Sequence, residues 1–233
     1  MRREKTWVIE QFWEDALFLN WKVDPAVLAD KVPFALDLHE GKAVVSVVPF
    51  HMRRVRFPWT PVVPFVSSLW ELNLRTYVVH EGVPGIFFFT LESGHRLGNF
   101  IARRFFGLPY RFSRIDCRPS HEEYRLRAEA SRYRLDLSVH LSGGTFDPAF
   151  QRWVTERYHL YLNRGDRTIR GDVSHPPWEV RAVNLKGISG NFAESFGIPL
   201  SGAPDSAYLA KPLRVRFAPF REVARSNPAG FVV

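Results

Sequence analysis

Along residues 69–78 apolar and polar side chains alternate. Trp70, Leu72, Leu74 and Val78 fall on one side of an extended chain, and Glu71, Asn73, Arg75 and Tyr77 on the other. The polar side is not the usual solvent mixture of Lys, Glu, Ser and Thr. It carries a carboxylate, an amide, a guanidinium and a phenol in a row, groups suited to holding a small polar molecule. The competing reading is an exposed sheet face, because antiparallel sheets often solvate one side. Glu71 and Arg75 stand about 13 Å apart along such a strand, too far to pair with each other.

The same pattern reading extends along the chain. Residues 15–23 form a short apolar strand. Asp24-Pro25 supplies an N-cap followed by proline at the first helical position, predicting a short helix to about Val32 that Pro33 stops. Glu40-Gly41 signals a hairpin between residues 36–38 and 42–49. Residues 43–48 are apolar on both sides, as a central strand covered on both faces should be. Pro58, Pro61 and Pro64 make residues 56–65 a loop or extended flap. After the alternating strand comes a turn at 80–84 and a partner strand at 85–92. Leu97, Ile101 and Phe105 recur on one face of a helix over 94–106, which Gly107 ends and Pro109 keeps from resuming. Residues 110–117, 123–130 and 133–141 read as a meander broken at Gly143-Gly144. Asp147-Pro148 opens a second helix to about Arg157. Further strands follow at 158–162, 167–173 and 178–185, then a helical turn at 191–196 and a last strand or pair at 208–218. Residues 221–233 carry little pattern and are expected to fray.

About ten strands, three or four short helices and no βαβ rhythm predict a mainly β (α+β) fold. One domain over 1–233 is expected, with its core at about 13–220. A curved antiparallel sheet closed into a barrel-like form would remove the edges that so many strands leave. In such a fold the polar side of 69–78 faces a lumen.

Composition narrows the setting. The 233 residues are 45% hydrophobic, enough for a sizeable core. No apolar run approaches a membrane span, and no secretory signal is legible, so a cytoplasmic location with no membrane partner is expected. Cys117 is the single cysteine, which excludes an internal disulfide and a cysteine-based zinc site. It reads as a small buried hydrophobe. The net charge of +8 is spread, with denser patches at Arg53-Arg54-Val55-Arg56 and Arg103-Arg104. The runs Arg125-Leu126-Arg127 and Arg132-Tyr133-Arg134 alternate with apolar residues, as outer strand faces do, which argues against nucleic-acid binding.

There is no GxGxxG, P-loop, HExxH or GxSxG motif, and Gly187-Ile188-Ser189-Gly190 lacks the spacing of a nucleophile elbow. The eight histidines are scattered. Neither a cofactor nor a metal is expected. Lys186 is the one lysine in an apolar setting, readable as a nucleophile or as a strand-end lysine reaching for water.

Five segments occur in a recognisable order: Phe18-Leu19-Asn20-Trp21-Lys22-Val23, residues 71–78, Gly107-Leu108-Pro109-Tyr110, Glu156-Arg157-Tyr158-His159-Leu160-Tyr161 and His175-Pro176-Pro177-Trp178. The set resembles the domain-of-unknown-function family 2071 (YqjF-like) over about Trp13 to Phe220. That family is grouped with the acetoacetate decarboxylase-like fold. The resemblance implies a curved, barrel-like antiparallel sheet with a central cavity and a few flanking helices, and no established activity. In the decarboxylases a glutamate precedes the active helix, and Glu71 is similar to it. Their Schiff-base lysine lies in a Gly-x-Pro-Lys-Lys motif; the similar stretch here, Gly107-Leu108-Pro109-Tyr110-Arg111, has tyrosine and arginine at the two lysine positions. Asn20 stands where members of the family usually carry histidine.

Glu71 and Tyr110 are therefore the catalytic candidates, and Asn73, Arg75, Tyr77 and His175 the ligand-binding ones. Arg75 can hold a carboxylate in two-pronged fashion. Glu71 can act as acid or base where burial raises its pKa. Two classes stay open: an enzyme acting on a small organic acid or carbonyl compound without Schiff-base chemistry, and a non-catalytic small-molecule binder or sensor. A homo-oligomer is compatible with either. Tyr77 and Tyr110 have a competing reading as caps of core edges, and His175 as a turn residue satisfied by backbone.

Overall fold

The computed structural model describes residues 7–61 and 68–225. In chain order the elements are β1 (Ile9–Glu14), β2 (Leu17–Val23), β3 (Ala35–Leu36), β4 (Ala43–Arg56), β5 (Ser68–His80), β6 (Val83–Ser93), α1 (Arg96–Phe106), β7 (Tyr110–Phe112), β8 (Arg114–Pro119), β9 (Glu123–Ala130) and β10 (Tyr133–His140). There follow α2 (Pro148–Thr155), β11 (His159–Arg164), β12 (Arg167–Ser174), β13 (Val180–Ala182), β14 (Asn184–Gly190), β15 (Ser206–Ala210), β16 (Leu213–Phe217) and β17 (Arg221–Arg225). The fold is mainly β, as the alternation predicts.

The central strand is β4. One of its edges pairs with β2 as far as Val47 and then with β1 from His51; its other edge pairs with β5 along nine residues, Val45 to Arg53. Pro49, which has no N–H to give, falls where the first edge changes partner. The succession β4-β1-β16-β12-β11-β6-β5 returns to β4 through the β4–β5 pairing and closes a ring of strands. The join between β6 and β11 is parallel, as is that between β6 and β7, so the ring is not wholly antiparallel. A second sheet, β14-β10-β9-β8, contains the predicted meander.

Two apolar clusters explain why residues 43–48 lack a polar side. Val45, Val47, Leu72 and Leu74 pack toward Leu126, Leu135 and Leu137 of the second sheet. Val44, Val48 and Phe50 pack inside the ring with Phe18, Ile86 and Leu160. A strand between two cores buries both faces.

The differences from the pattern reading have local causes. The helix expected after Asp24 is only a 3-10 turn, Pro25–Val27, although the Asp24 cap onto the Ala26 N–H forms as expected. The tight turn at Glu40-Gly41 exists as the His39–Lys42 bridge, but Leu36 pairs with Val78 of β5 and not with the other arm. Strand β1 was not expected, because Glu10 and Gln11 break its apolar pattern. Glu10 is nevertheless buried, held by Arg56 and by Arg216 at 2.7 Å. The expected strands at 110–117 and 178–185 each divide in two, while 208–218 forms a pair of strands, one of the two forms expected of it. Residues 221–225, read as frayed, form β17 on β12. Residues 226–233 and the part of the proposed flap at 62–65 lie outside the described residues. No helix among the described residues is long and apolar enough to cross a membrane.

Candidate functional site

The ring encloses a cavity of about 240 Å³. Glu71, Asn73 and Arg75 from β5 line it, and all three are buried. The period-two geometry of a strand puts them on one wall. Between Leu74 and Arg75 the partner strand skips a residue, so the pairing runs Leu74↔Thr90 and then Arg75↔Phe88. This bulge at Phe89 lets both Leu91 and Phe88 face the cavity. Trp13, Phe50, Met52 and Leu160 give most of the remaining wall its apolar character.

Tyr110 reaches the cavity because Gly107 ends α1 in the left-handed conformation, at φ 62°. The chain then returns along β6, with Tyr110 opposite Leu91. Its hydroxyl donates to Glu71 Oε2 at 2.5 Å. Burial without a cation beside it pushes the Glu71 carboxyl up to about 8, the Tyr110 hydrogen bond opposing only part of that shift. Burial and the neighbouring carboxyl hold the Tyr110 phenol well above the ordinary tyrosine range. Near neutral pH this end of the cavity is therefore largely uncharged and rich in protons.

The other end is cationic. Arg75 Nη2 donates to the Val154 carbonyl at 3.2 Å and to the Tyr77 hydroxyl at 3.4 Å, and the guanidinium lies 5.2 Å from the Phe18 ring centroid. No Asp or Glu among the described residues pairs with it, and its buried Nε has no hydrogen-bond partner there. Arg157 lines the same cavity. It is paired with Asp37 at 2.6 Å and donates to the Trp153 carbonyl at 2.8 Å, while its Nη2 is unpartnered. Asn73 Oδ1 is unpartnered as well. The two guanidiniums lie 5.6 Å and 5.1 Å from the Tyr77 ring centroid.

Pattern reading did not single out Arg157 as a site residue. An arginine just past a helix end looks like an ordinary C-terminal charge, and its partner Asp37 is 120 residues away.

Tyr77 is the correction among the predicted ligand-binding residues. It is fully buried but does not line the cavity. Trp153 covers its ring at 4.7 Å, and its hydroxyl donates to the Val154 carbonyl at 3.0 Å. Ser46 Oγ lies 2.7 Å from that hydroxyl and donates to Asn20 Oδ1 at 2.6 Å, and Asn20 Nδ2 donates to Ser206 Oγ at 3.0 Å. Tyr77 thus supports Arg75 from behind. His175 lines the cavity and is also the backbone-satisfied turn residue: its Nδ1 donates to the Pro176 carbonyl at 2.8 Å, and its ring stacks on Tyr158 at 4.6 Å.

No lysine lines the cavity among the described residues. Lys186 lies on the second sheet, half exposed and paired with Glu123 at 3.2 Å, so its apolar sequence neighbours misrepresent its surroundings. Cys117 is half-buried where the sequence predicts a buried hydrophobe, and its partial burial pushes the thiol up to about 12, which leaves it inert near neutral pH.

The family model DUF2071, described as "Uncharacterized conserved protein", matches residues 10–214. The Uncharacterized protein YqjF of Bacillus subtilis (strain 168) is 31% identical over 224 residues, covering 93% of both chains. Among solved structures, an acetoacetate decarboxylase-like enzyme from Sphingomonas wittichii RW1 is similar with a TM-score of 0.69 at 13% identity, over 94% of each chain. The enduracididine biosynthesis enzyme MppR complexed with pyruvate gives 0.67 at 14% identity, over 96% of this chain and 93% of that one. Acetoacetate decarboxylase from Legionella pneumophila gives 0.66 at 10% identity, over 97% and 93%. At these identities the structural likeness shows an acetoacetate decarboxylase-like fold and no more.

Proposed function

This chain belongs to the DUF2071 family of uncharacterized conserved proteins, and on that footing we propose that it is an enzyme acting on a small organic acid or carbonyl compound. In this reading Arg75, with Arg157 beside it, takes the ligand's carboxylate. Glu71 and Tyr110, at the opposite end, polarise a carbonyl oxygen and move a proton to or from it. Asn73 and His175 orient the ligand between them. No Schiff base is involved.

The observation that carries the reading is Arg75: a buried guanidinium on the cavity wall with no carboxylate partner among the described residues and an Nε that no hydrogen bond satisfies. A buried lone charge is costly to keep, and an anionic ligand would offset that cost. A guanidinium donates charge-assisted hydrogen bonds to a carboxylate, stronger than those between neutral groups. The neutral Glu71–Tyr110 pair then serves as a proton source where charge develops on an oxygen. That a protein with this fold was solved with pyruvate is an analogy in the same direction.

A thermal-shift screen of small carboxylic, keto and hydroxy acids tests the reading, with mass spectrometry of any ligand that co-purifies. A bound acid that is consumed on incubation supports an enzyme. One released unchanged makes the protein a binder. Failure of every acid to raise the melting temperature overturns the site.

A further inference from the structure

Leu97 and Ile101 recur on one helical face, and the structure leaves that face of α1 uncovered. Leu97 is 62% and Phe100 56% exposed, with Ile101 part-exposed beside them. Phe112 of β7 adjoins them, the Arg96 guanidinium lying 4.3 Å from its ring centroid. Phe57 is also exposed, and it lines the cavity together with Ile101 and Ala102, so the apolar helix face borders the cavity's opening. Two residues on from Phe57, Trp59 is wholly exposed in the turn closed by the Thr60 N–H on the Phe57 carbonyl. Apart from Leu38 and Phe146, every exposed large hydrophobic among the described residues belongs to this one region. Soluble chains seldom leave such a cluster bare without a partner for it.

Charge selects the partner. Helix α1 contains no Asp or Glu, and Arg96, Arg103 and Arg104 are exposed on it, in a chain of net charge +8. Two copies meeting on this face across a two-fold axis would bring these guanidiniums against each other. An anionic bilayer meets both demands at once. Its phosphates receive the guanidiniums, and the boundary between headgroups and acyl chains receives the leucine, phenylalanine and tryptophan side chains. Tryptophan favours that depth. That no helix among the described residues is long and apolar enough to cross a membrane has no bearing on a helix lying in the interface plane.

We propose that α1, Phe112 and the Phe57–Thr60 turn form a docking surface for an anionic lipid bilayer, which brings the mouth of the cavity to the membrane. This rests on the exposed surface alone and is independent of what the cavity binds.

Flotation of the full chain with vesicles tests it, using equal parts phosphatidylglycerol and phosphatidylcholine against phosphatidylcholine alone. The chain should float with the anionic vesicles only, and less as salt is raised. Leu97→Glu with Phe100→Glu should abolish flotation without lowering the melting temperature, since both side chains are exposed. Arg96→Gln with Arg103→Gln should weaken it by roughly tenfold or more. Trp59→Phe should remove part of the blue shift in tryptophan emission on binding. The proposal is overturned by absence of flotation with anionic vesicles, or by flotation that Leu97→Glu and Phe100→Glu leave intact. It is equally overturned by a dimer, measured by light scattering, that those two variants dissolve, since the face would then belong to a second copy.

Discussion

The Tyr110 hydroxyl donates to Glu71 Oε2 across 2.5 Å, and this contact joins the chain leaving α1 to the cavity wall of β5. Both groups are held proton-rich by the same burial. The resemblance puts Tyr110 where the decarboxylases have their reactive amine. A phenol beside a protonated carboxyl can donate and accept protons but cannot form an imine.

The pair makes stability depend on pH with a definite sign. The Glu71 carboxyl titrates near 4.5 when free and at about 8 in the folded protein. Between those values the folded state binds more protons than the unfolded one, so stability is full below about pH 4.5 and is lost as pH rises through about 8. Glu71→Gln has no proton to release and should escape that loss. Relative to the variant, the wild type should weaken on the order of a few kcal/mol from pH 5 to pH 9, read by guanidinium unfolding. A difference between the two proteins that is flat with pH would mean that Glu71 ionises freely at neutral pH.

Imine chemistry should be absent. With no lysine on the described cavity wall and Lys186 paired to Glu123 on another sheet, no amine among the described residues is placed to attack a bound ketone. Incubation with acetoacetate and borohydride should leave the intact mass unchanged and release no carbon dioxide above the uncatalysed rate. A reduced adduct mapped to any lysine would refute this.

Much of this architecture can be read from side-chain alternation. Residues 69–78 place Glu71, Asn73 and Arg75 on one side, and the strand keeps them there because the period of two survives any partner. The doubly apolar run at 43–48 likewise identifies a strand between two cores. What alternation cannot carry is contact between distant residues. Tyr77 has the same parity as Arg75, yet α2 lays Trp153 over it, and no local pattern reports where α2 docks. Arg157 becomes a cavity residue only through Asp37 and the ring of strands around it. Strand β1 is hidden by Glu10, whose partners Arg56 and Arg216 come from opposite ends of the chain. The apolar face of α1 looks like a core-facing stripe because periodicity reports amphipathicity and not what covers it.

Asn20 is where the buried chain behind Arg75 can be tested. Its amide bonds the hydroxyls of Ser46 and Ser206, and Ser46 meets Tyr77. Asn20→Ala should cost about 1–3 kcal/mol, the usual cost of unpaired buried polar groups. Asn20→His should cost less, since two ring nitrogens can meet the same two hydroxyls and the resemblance places histidine here in other members. Urea unfolding of the three proteins orders them, and a histidine variant weaker than the alanine variant would mean that the site lacks room for the ring.

The two cavity arginines should separate binding from stability. Arg75→Leu removes a buried charge that has no carboxylate partner among the described residues. It also removes two long hydrogen bonds, at 3.2 Å and 3.4 Å, and the packing on Phe18. Those losses oppose the gain from deleting a buried charge, so unfolding free energy should change by no more than about 1 kcal/mol. Arg157→Leu leaves Asp37 without its partner. Asp37 keeps some contact with water, its side chain being 22% exposed, so the cost should be about 2–3 kcal/mol, below that of a fully buried pair. Affinity should follow the opposite order. Once an acid from the screen is in hand, Arg75→Leu should weaken it about 100-fold, the loss of a charge-assisted contact, and Arg157→Leu about tenfold. Calorimetry of binding beside chemical unfolding reads both quantities on the same samples. If Arg75→Leu instead unfolds the protein while acids bind Arg157→Leu no worse than wild type, the arginines are structural and the anion lies elsewhere in the cavity.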